Sequence, residues 1–172
     1  MANTYTQIYM HLVFAVARRD ALIADIWAEK LYAYLAGTCR NRQHFVHAIN
    51  GTPDHVHLLV SMHPTESVAN LVKELKGQST RWINDNYLHG AFSWQSGYGA
   101  FSYSRSFVPA VKVYIEKQRE HHRRVSFQDE LADIFRKAGI DYKPEYMMQG
   151  FVDAEGRVPK GTPNADETIT SH

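Results

Sequence analysis

Asp54-His55-Val56-His57-Leu58-Leu59-Val60 is the stretch on which the reading of this chain turns. Side chains alternate faces along a strand, so His55 and His57 share one face while Val56, Leu58 and Val60 take the other. The preceding Asn50-Gly51-Thr52-Pro53-Asp54 reads as a tight turn, which puts the histidines at the start of the strand. Two imidazoles side by side can hold a divalent metal and leave coordination positions open for a substrate. The same spacing suits two ordinary hydrogen-bonded histidines, so the pair needs a second element before it argues chemistry.

Working outward, His44 to Ile49 forms a hairpin with the histidine strand, and Tyr5 to Ala17 alternates as a long first strand. Between them, Leu22, Ile23, Ile26, Trp27, Leu31, Tyr34 and Leu35 recur at helical spacing from Asp20 to about Arg42, predicting an amphipathic helix that ends near Gly37 or just beyond. Thr65 and Ser67 start a second helix with Val68, Leu71, Val72, Leu75, Trp82 and Ile83 on one stripe, and a short strand follows at 100–104. The order β-α-β-β-α-β predicts an α+β, ferredoxin-like (RRM-like) antiparallel sheet with its first and third strands central, followed by additional C-terminal helices. The histidine strand is then a central, rigid platform. Ser126-Phe127-Gln128-Asp129 reads as a capped start of a final helix ending at Gly139.

The second chemical element lies downstream, from Pro109 to Arg124. Pro109 suits a first helical position, and Tyr114 and Gln118, at i and i+4, share a face of the predicted helix. One helix can thus offer a hydroxyl nucleophile and an amide oxygen. An amide oxygen with two imidazoles makes a mixed N/O site, better matched to Mg²⁺ or Mn²⁺ than to a sulfur-rich zinc centre. The plain alternative is a half-buried tyrosine on an amphipathic helix with a solvated glutamine.

At 172 residues and 44% hydrophobic content, one globular domain over 1–145 is expected, with the Gly, Pro, Thr and Asp rich 146–172 as an extended or disordered tail. A net charge of +1 gives no overall basic character, but Lys112, Lys117, Arg119, Arg123 and Arg124 gather beside Tyr114 against Glu116 and Glu120. With Lys73 and Lys76 on the second helix, these are the candidate phosphate contacts, although a solvated face with internal ion pairs would look the same. The single Cys39 excludes a disulfide within one chain. Neither a membrane-length apolar run nor a secretion signal is present, so a soluble cytoplasmic protein is expected. Without a G-x-x-x-x-G-K-[ST] loop, no nucleotide cofactor is expected.

Taken together, His11-Leu12-Val13-Phe14, Pro53 to Val60, Leu75-Lys76-Gly77 with Arg81-Trp82-Ile83, Trp94 to Ser102, and Tyr114-Ile115 with Gln118 and His121-His122 carry a resemblance. From about Tyr5 to Tyr142 the chain resembles the single-tyrosine HUH transposases of small bacterial insertion sequences and their REP-associated relatives. That resemblance implies that His55, His57 and Gln118 hold a divalent metal and that Tyr114 attacks single-stranded DNA, leaving a 5′-phosphotyrosine intermediate. It also implies recognition of hairpin ends, and a homodimer whose active sites are shared between subunits. Asp54 is a candidate to orient a histidine ring from outside the metal. Two other readings share the same residues: a non-catalytic or domesticated nucleic-acid-binding module, and a metal-dependent phosphoesterase.

Overall fold

The structure, a computed structural model, describes residues 3–141. The expected tail over 146–172 lies outside the described residues. Four strands, β1 (Tyr9–Ala15), β2 (Phe45–Thr52), β3 (His55–Ser61) and β4 (Gly99–Tyr103), form one sheet in the order β2-β3-β1-β4. Every pairing is antiparallel and the first and third strands are central, as the ferredoxin-like plan requires.

Register explains the two faces. Met10, Leu12 and Phe14 stand opposite Val60, Leu58 and Val56, and this face packs under α1 (Asp25–Asn41) and α2 (Val68–Ile83). Trp27, Leu31 and Leu35 from α1 and Leu71 and Leu75 from α2 complete a core whose aliphatic members are fully buried. On the other face, His11, Val13 and Ala15 stand opposite Leu59, His57 and His55. That face is covered by α3 (Val108–Glu116), through Val111 and Ile115 on Ala48 and Leu59, and by α5 (Phe127–Lys137), through Phe127 on Val13 and Ala15. The histidines therefore sit inside the molecule.

Several boundaries differ from the sequence reading. The first strand is shorter, and α1 starts at Asp25 because the intervening segment is tied to the hairpin: Val16 and Ile23 donate to the carbonyls of Asp54 and Pro53 at 2.8 and 2.9 Å. There the chain turns at Arg18 and Arg19, both at positive φ (56° and 54°). Strand β2 continues through Asn50, Gly51 and Thr52, leaving Pro53 and Asp54 as the turn. Gly51 is required in that extension, since a Cβ there would press into the backbone of His55.

The helix of Tyr114 is not continuous with Gln118. It breaks at Lys117, and a short turn, α4 (Gln118–His121), resumes. Asn50 Nδ2 donates to the Glu116 carbonyl at 3.0 Å, taking an acceptor that an unbroken helix would offer to its next turn. The predicted N-caps hold: Ser67 accepts from Asn70 N, and Ser126 from Asp129 N. Gly139, at φ 67°, follows the end of α5. Among the described residues no helix is long and apolar enough to cross a membrane.

Candidate active site

His55 and His57 are 1% and 0% exposed, and each is braced through Nδ1. His55 Nδ1 meets Asp54 Oδ1 at 2.7 Å and Thr52 Oγ1 at 2.8 Å, and Arg19 lies 3.4 Å from the far oxygen of Asp54. Asp54, the candidate for orienting a histidine ring, is thus hydrogen-bonded to His55. His57 Nδ1 meets Nε2 of His11 at 2.8 Å, with the rings stacked at 5.0 Å. His122, on the turn after α4, donates from Nδ1 to the Val125 carbonyl at 2.9 Å, since a carbonyl oxygen can only accept, so Nδ1 carries its proton. With the outer nitrogens engaged, the Nε2 atoms of His55, His57 and His122 are left to face inward.

They face Glu130, 2% exposed on α5. Its Oε1 lies 2.9 Å from His57 Nε2 and 3.7 Å from His55 Nε2, and its Oε2 lies 3.0 and 3.1 Å from Nε2 of His122 and His121. Tyr114, from α3, donates its hydroxyl to Oε2, and Gln118 Nε2 reaches the same oxygen at 3.3 Å. The break at Lys117 therefore does not separate Tyr114 from Gln118. Both reach one carboxylate, and the tyrosine does so on the histidines of its own chain.

Charge follows from this crowding. Burial pushes the imidazole of His57 down to about 4 against the pull of Glu130, whereas for His55 burial is outweighed by the bond to Asp54 and the nearby Glu130 carboxylate, which raise it. His11 is lowered to about 3 by burial and then by His57, which keeps it neutral. Burial works to raise Glu130, but the imidazoles of His122, His55 and His57 gathered around it hold its carboxyl far below the usual range. Burial, and next the Glu130 charge, push the Tyr114 phenol well above its ordinary value, so its hydroxyl stays protonated. Asp54 is held down at about 2, its own burial being outweighed by the bonds to His55 and Thr52.

The donor set fits a cation. One ligand atom from each of His55, His57, His122 and Glu130 falls within a 4.8 Å cluster, and His55 Nε2 stands 3.1 Å from His122 Nε2. Two imidazole nitrogens that close need a proton or a metal between their lone pairs. Gln118 is 0% exposed, and its Oε1 is buried without a hydrogen-bond partner, a free amide oxygen beside the cluster. Glu130, His122 and His11 were not singled out from the sequence as site residues. Glu130 reads there as an ordinary first-turn acid after a capping serine, whereas His11 and His122 stand in motifs that carry the family resemblance with no site role attached to either.

The cations read from the sequence as candidate phosphate contacts differ in their surroundings. Lys76 donates to the carbonyls of Gln95 and Gly97 at 2.7 and 2.6 Å, and burial lowers its ammonium to about 8, so it ties down the loop before β4. Lys112 pairs with Glu116 and Arg119 with Asp25. Lys73, Lys117, Arg123 and Arg124 are exposed.

Residues 4–118 match the family described as "Transposase IS200 like". The chain belongs to the IS200-like transposases. Among curated proteins it is similar to the ISDra2 transposase TnpA of Deinococcus radiodurans, 29% identical over 120 residues that span 66% of this chain and 86% of that one. A crystal structure assigned as a transposase of the same bacterium superimposes with a TM-score of 0.56 at 26% identity, covering 69% of this chain and 95% of the other. The structure of a REP-associated tyrosine transposase bound to a REP hairpin shares the fold, with a TM-score of 0.55 at 14% identity over 91% and 96% of the two chains. Membership places this protein among DNA transposases and agrees with the resemblance carried by its strand and helix motifs.

Proposed function

We propose that this transposase cuts and rejoins single-stranded DNA at the ends of an insertion sequence through a covalent tyrosine intermediate, with a divalent metal, Mg²⁺ or Mn²⁺, held by His55, His57 and Gln118. The observation that carries the reading is that the Tyr114 hydroxyl reaches the buried carboxylate faced by His55 and His57. A bound cation supplies charge stabilisation at the phosphate oxygens as the pentavalent transition state forms. The Tyr114 oxygen attacks the phosphorus in line. The bond to the 3′-oxygen breaks, a 5′-phosphotyrosine link forms, and the hydroxyl proton ends on the released 3′-oxygen. Because one ester replaces another, resealing to a second end needs no nucleotide energy. Asp54 and Thr52 hold the His55 ring, and Ile115, fully buried on Leu59, seats the tyrosine helix.

Imperfect hairpins at the element ends are the proposed DNA, in keeping with the REP hairpin bound by the structurally similar protein. Exposed Lys73, Lys117, Arg123 and Arg124 are proposed to meet phosphates. A homodimer is proposed as the working assembly. We also propose that 1–145 act as one domain and that 146–172 be an extension to it.

The test is a denaturing-gel assay for a protein-DNA adduct with single-stranded oligonucleotides from the flanks of the gene, Mg²⁺ or Mn²⁺, and the variants Tyr114→Phe and His57→Ala. A metal-dependent adduct lost in both variants is expected. Binding without an adduct would make the chain a DNA-binding module, and a cut strand with no attached protein would make it a phosphoesterase.

A further inference from the structure

We propose that Glu130 is a bridging residue of the site: Oε1 is a ligand of the cation that His55 and His57 hold, and Oε2 positions the Tyr114 hydroxyl. The inference rests on the metal-binding part of the reading above and adds a residue from beyond position 118, where the family match ends.

Distances separate the two oxygens. Around a small octahedral cation with bonds of about 2.0–2.2 Å, neighbouring ligand atoms stand about 3 Å apart. His57 Nε2 to Glu130 Oε1 at 2.9 Å, and His55 Nε2 to His122 Nε2 at 3.1 Å, have that spacing. The 2.9 Å contact lacks hydrogen-bond geometry, and neither atom has a hydrogen-bond partner elsewhere. Two ligand atoms that close with no hydrogen bond between them are what a shared cation accounts for. Oε2, in contrast, accepts from Tyr114 and Gln118.

Packing gives no other reason for a charge there. Helix α5 is anchored by Phe127, stacked on His55 at 4.0 Å with Arg19 over the ring at 4.9 Å, and by Leu131, Ile134 and Phe135 beside Phe101. A carboxylate 2% exposed adds nothing to that apolar anchoring and costs desolvation unless cations or donors meet it. One carboxylate touching both the histidine pair and the hydroxyl fixes the separation of nucleophile and metal, which a transesterification needs.

The experiment uses the full chain stripped with EDTA and titrated with Mn²⁺ without DNA, with the free ion read by electron paramagnetic resonance. Wild type is compared with Glu130→Gln, Glu130→Asp and Tyr114→Phe, and thermal melting in EDTA checks that each variant is folded. Expected are a loss of about 10–100-fold in Mn²⁺ affinity for Glu130→Gln, a smaller loss for Glu130→Asp, and unchanged affinity for Tyr114→Phe. At saturating Mn²⁺, Glu130→Gln should still form adduct more slowly than wild type, because the hydroxyl has lost its charged acceptor. A folded Glu130→Gln that binds Mn²⁺ like wild type overturns the ligand role. If that variant also forms adduct faster, Glu130 is a plug over the nucleophile and the proposal fails. Glu130-dependent Mn²⁺ binding with no adduct on any oligonucleotide would leave this inference standing and remove the transesterification.

Discussion

Replacing His11 with Ala tests whether the ring next to His57 sets which nitrogen of His57 is available. His11 is 1% exposed, and its Nε2 lies 2.8 Å from His57 Nδ1. For His57 to present a lone pair at Nε2, Nδ1 must carry the proton and donate it, so His11 Nε2 must accept. Burial keeps His11 neutral, with a pKa of about 3, and its remaining proton then sits on Nδ1, which is buried without a partner. An unmet Nδ1 position in the molecule is thus the cost of a correctly set His57. Truncation leaves the His57 Nδ1–H buried and unpaired, worth about 1–3 kcal/mol, and opens a cavity besides. Relief comes by moving the proton to Nε2, which blocks the metal. Mn²⁺ affinity is expected to fall about 10–100-fold, equal to about 1.4–2.7 kcal/mol, with a lower melting temperature in EDTA. His11→Gln, whose amide oxygen can stand near the lost Nε2, should recover part of the affinity without recovering all of the packing. Titration calorimetry with Mn²⁺ is the assay. An alanine variant that binds Mn²⁺ within twofold of wild type, under conditions where His57→Ala does not bind, would refute the tautomer argument.

Saturating Mn²⁺ should raise the melting temperature of the wild type by a few degrees, about 2.7 kcal/mol at a hundred times the dissociation constant, and leave His57→Ala unmoved in differential scanning calorimetry. Leu58→Ala, a fully buried site on the opposite face of the histidine strand, should cost about 2–5 kcal/mol in urea unfolding while the folded fraction keeps its metal affinity. Gly51→Ala should do both kinds of damage, because its Cβ displaces the His55 backbone; unchanged melting and Mn²⁺ binding would contradict the close approach seen there. Glu66, held at about 2 chiefly by its hydrogen bonds with Arg42, gives a pH signature. Its folded pKa lies below the unfolded 4.5, so this stability is present above pH 4.5 and is lost as pH falls toward 2. The gap sets a ceiling of about 3 kcal/mol, and screening at the part-exposed Arg42 lowers the working figure to about 1–2. Glu66→Gln should flatten the acid side of a stability curve measured by urea unfolding.

Much of the fold is legible in residue spacing. Alternation in Met10 to Phe14 and Val56 to Val60 identifies strands whose apolar faces must meet, and the helical stripes of α1 and α2 supply what covers them. The boundaries that differ do so through long-range hydrogen bonds. The start of α1 is delayed by bonds to the hairpin carbonyls, and the break at Lys117 coincides with a bond from Asn50, sixty-six residues away in sequence. No local propensity encodes either partner.

By itself the sequence determined that His55 and His57 share a face, because the strand period is two, and that Tyr114 and Gln118 lie only four residues apart. Tertiary structure decided the rest. The β1–β3 register brings His11 behind His57, and the packing of Phe127 on His55 lowers Glu130 between the histidines and the tyrosine. A carboxylate seventy-five residues from His55 carries no periodic relation to it. Only the burial of apolar side chains around both could set their distance, and that is a property of the whole packed chain.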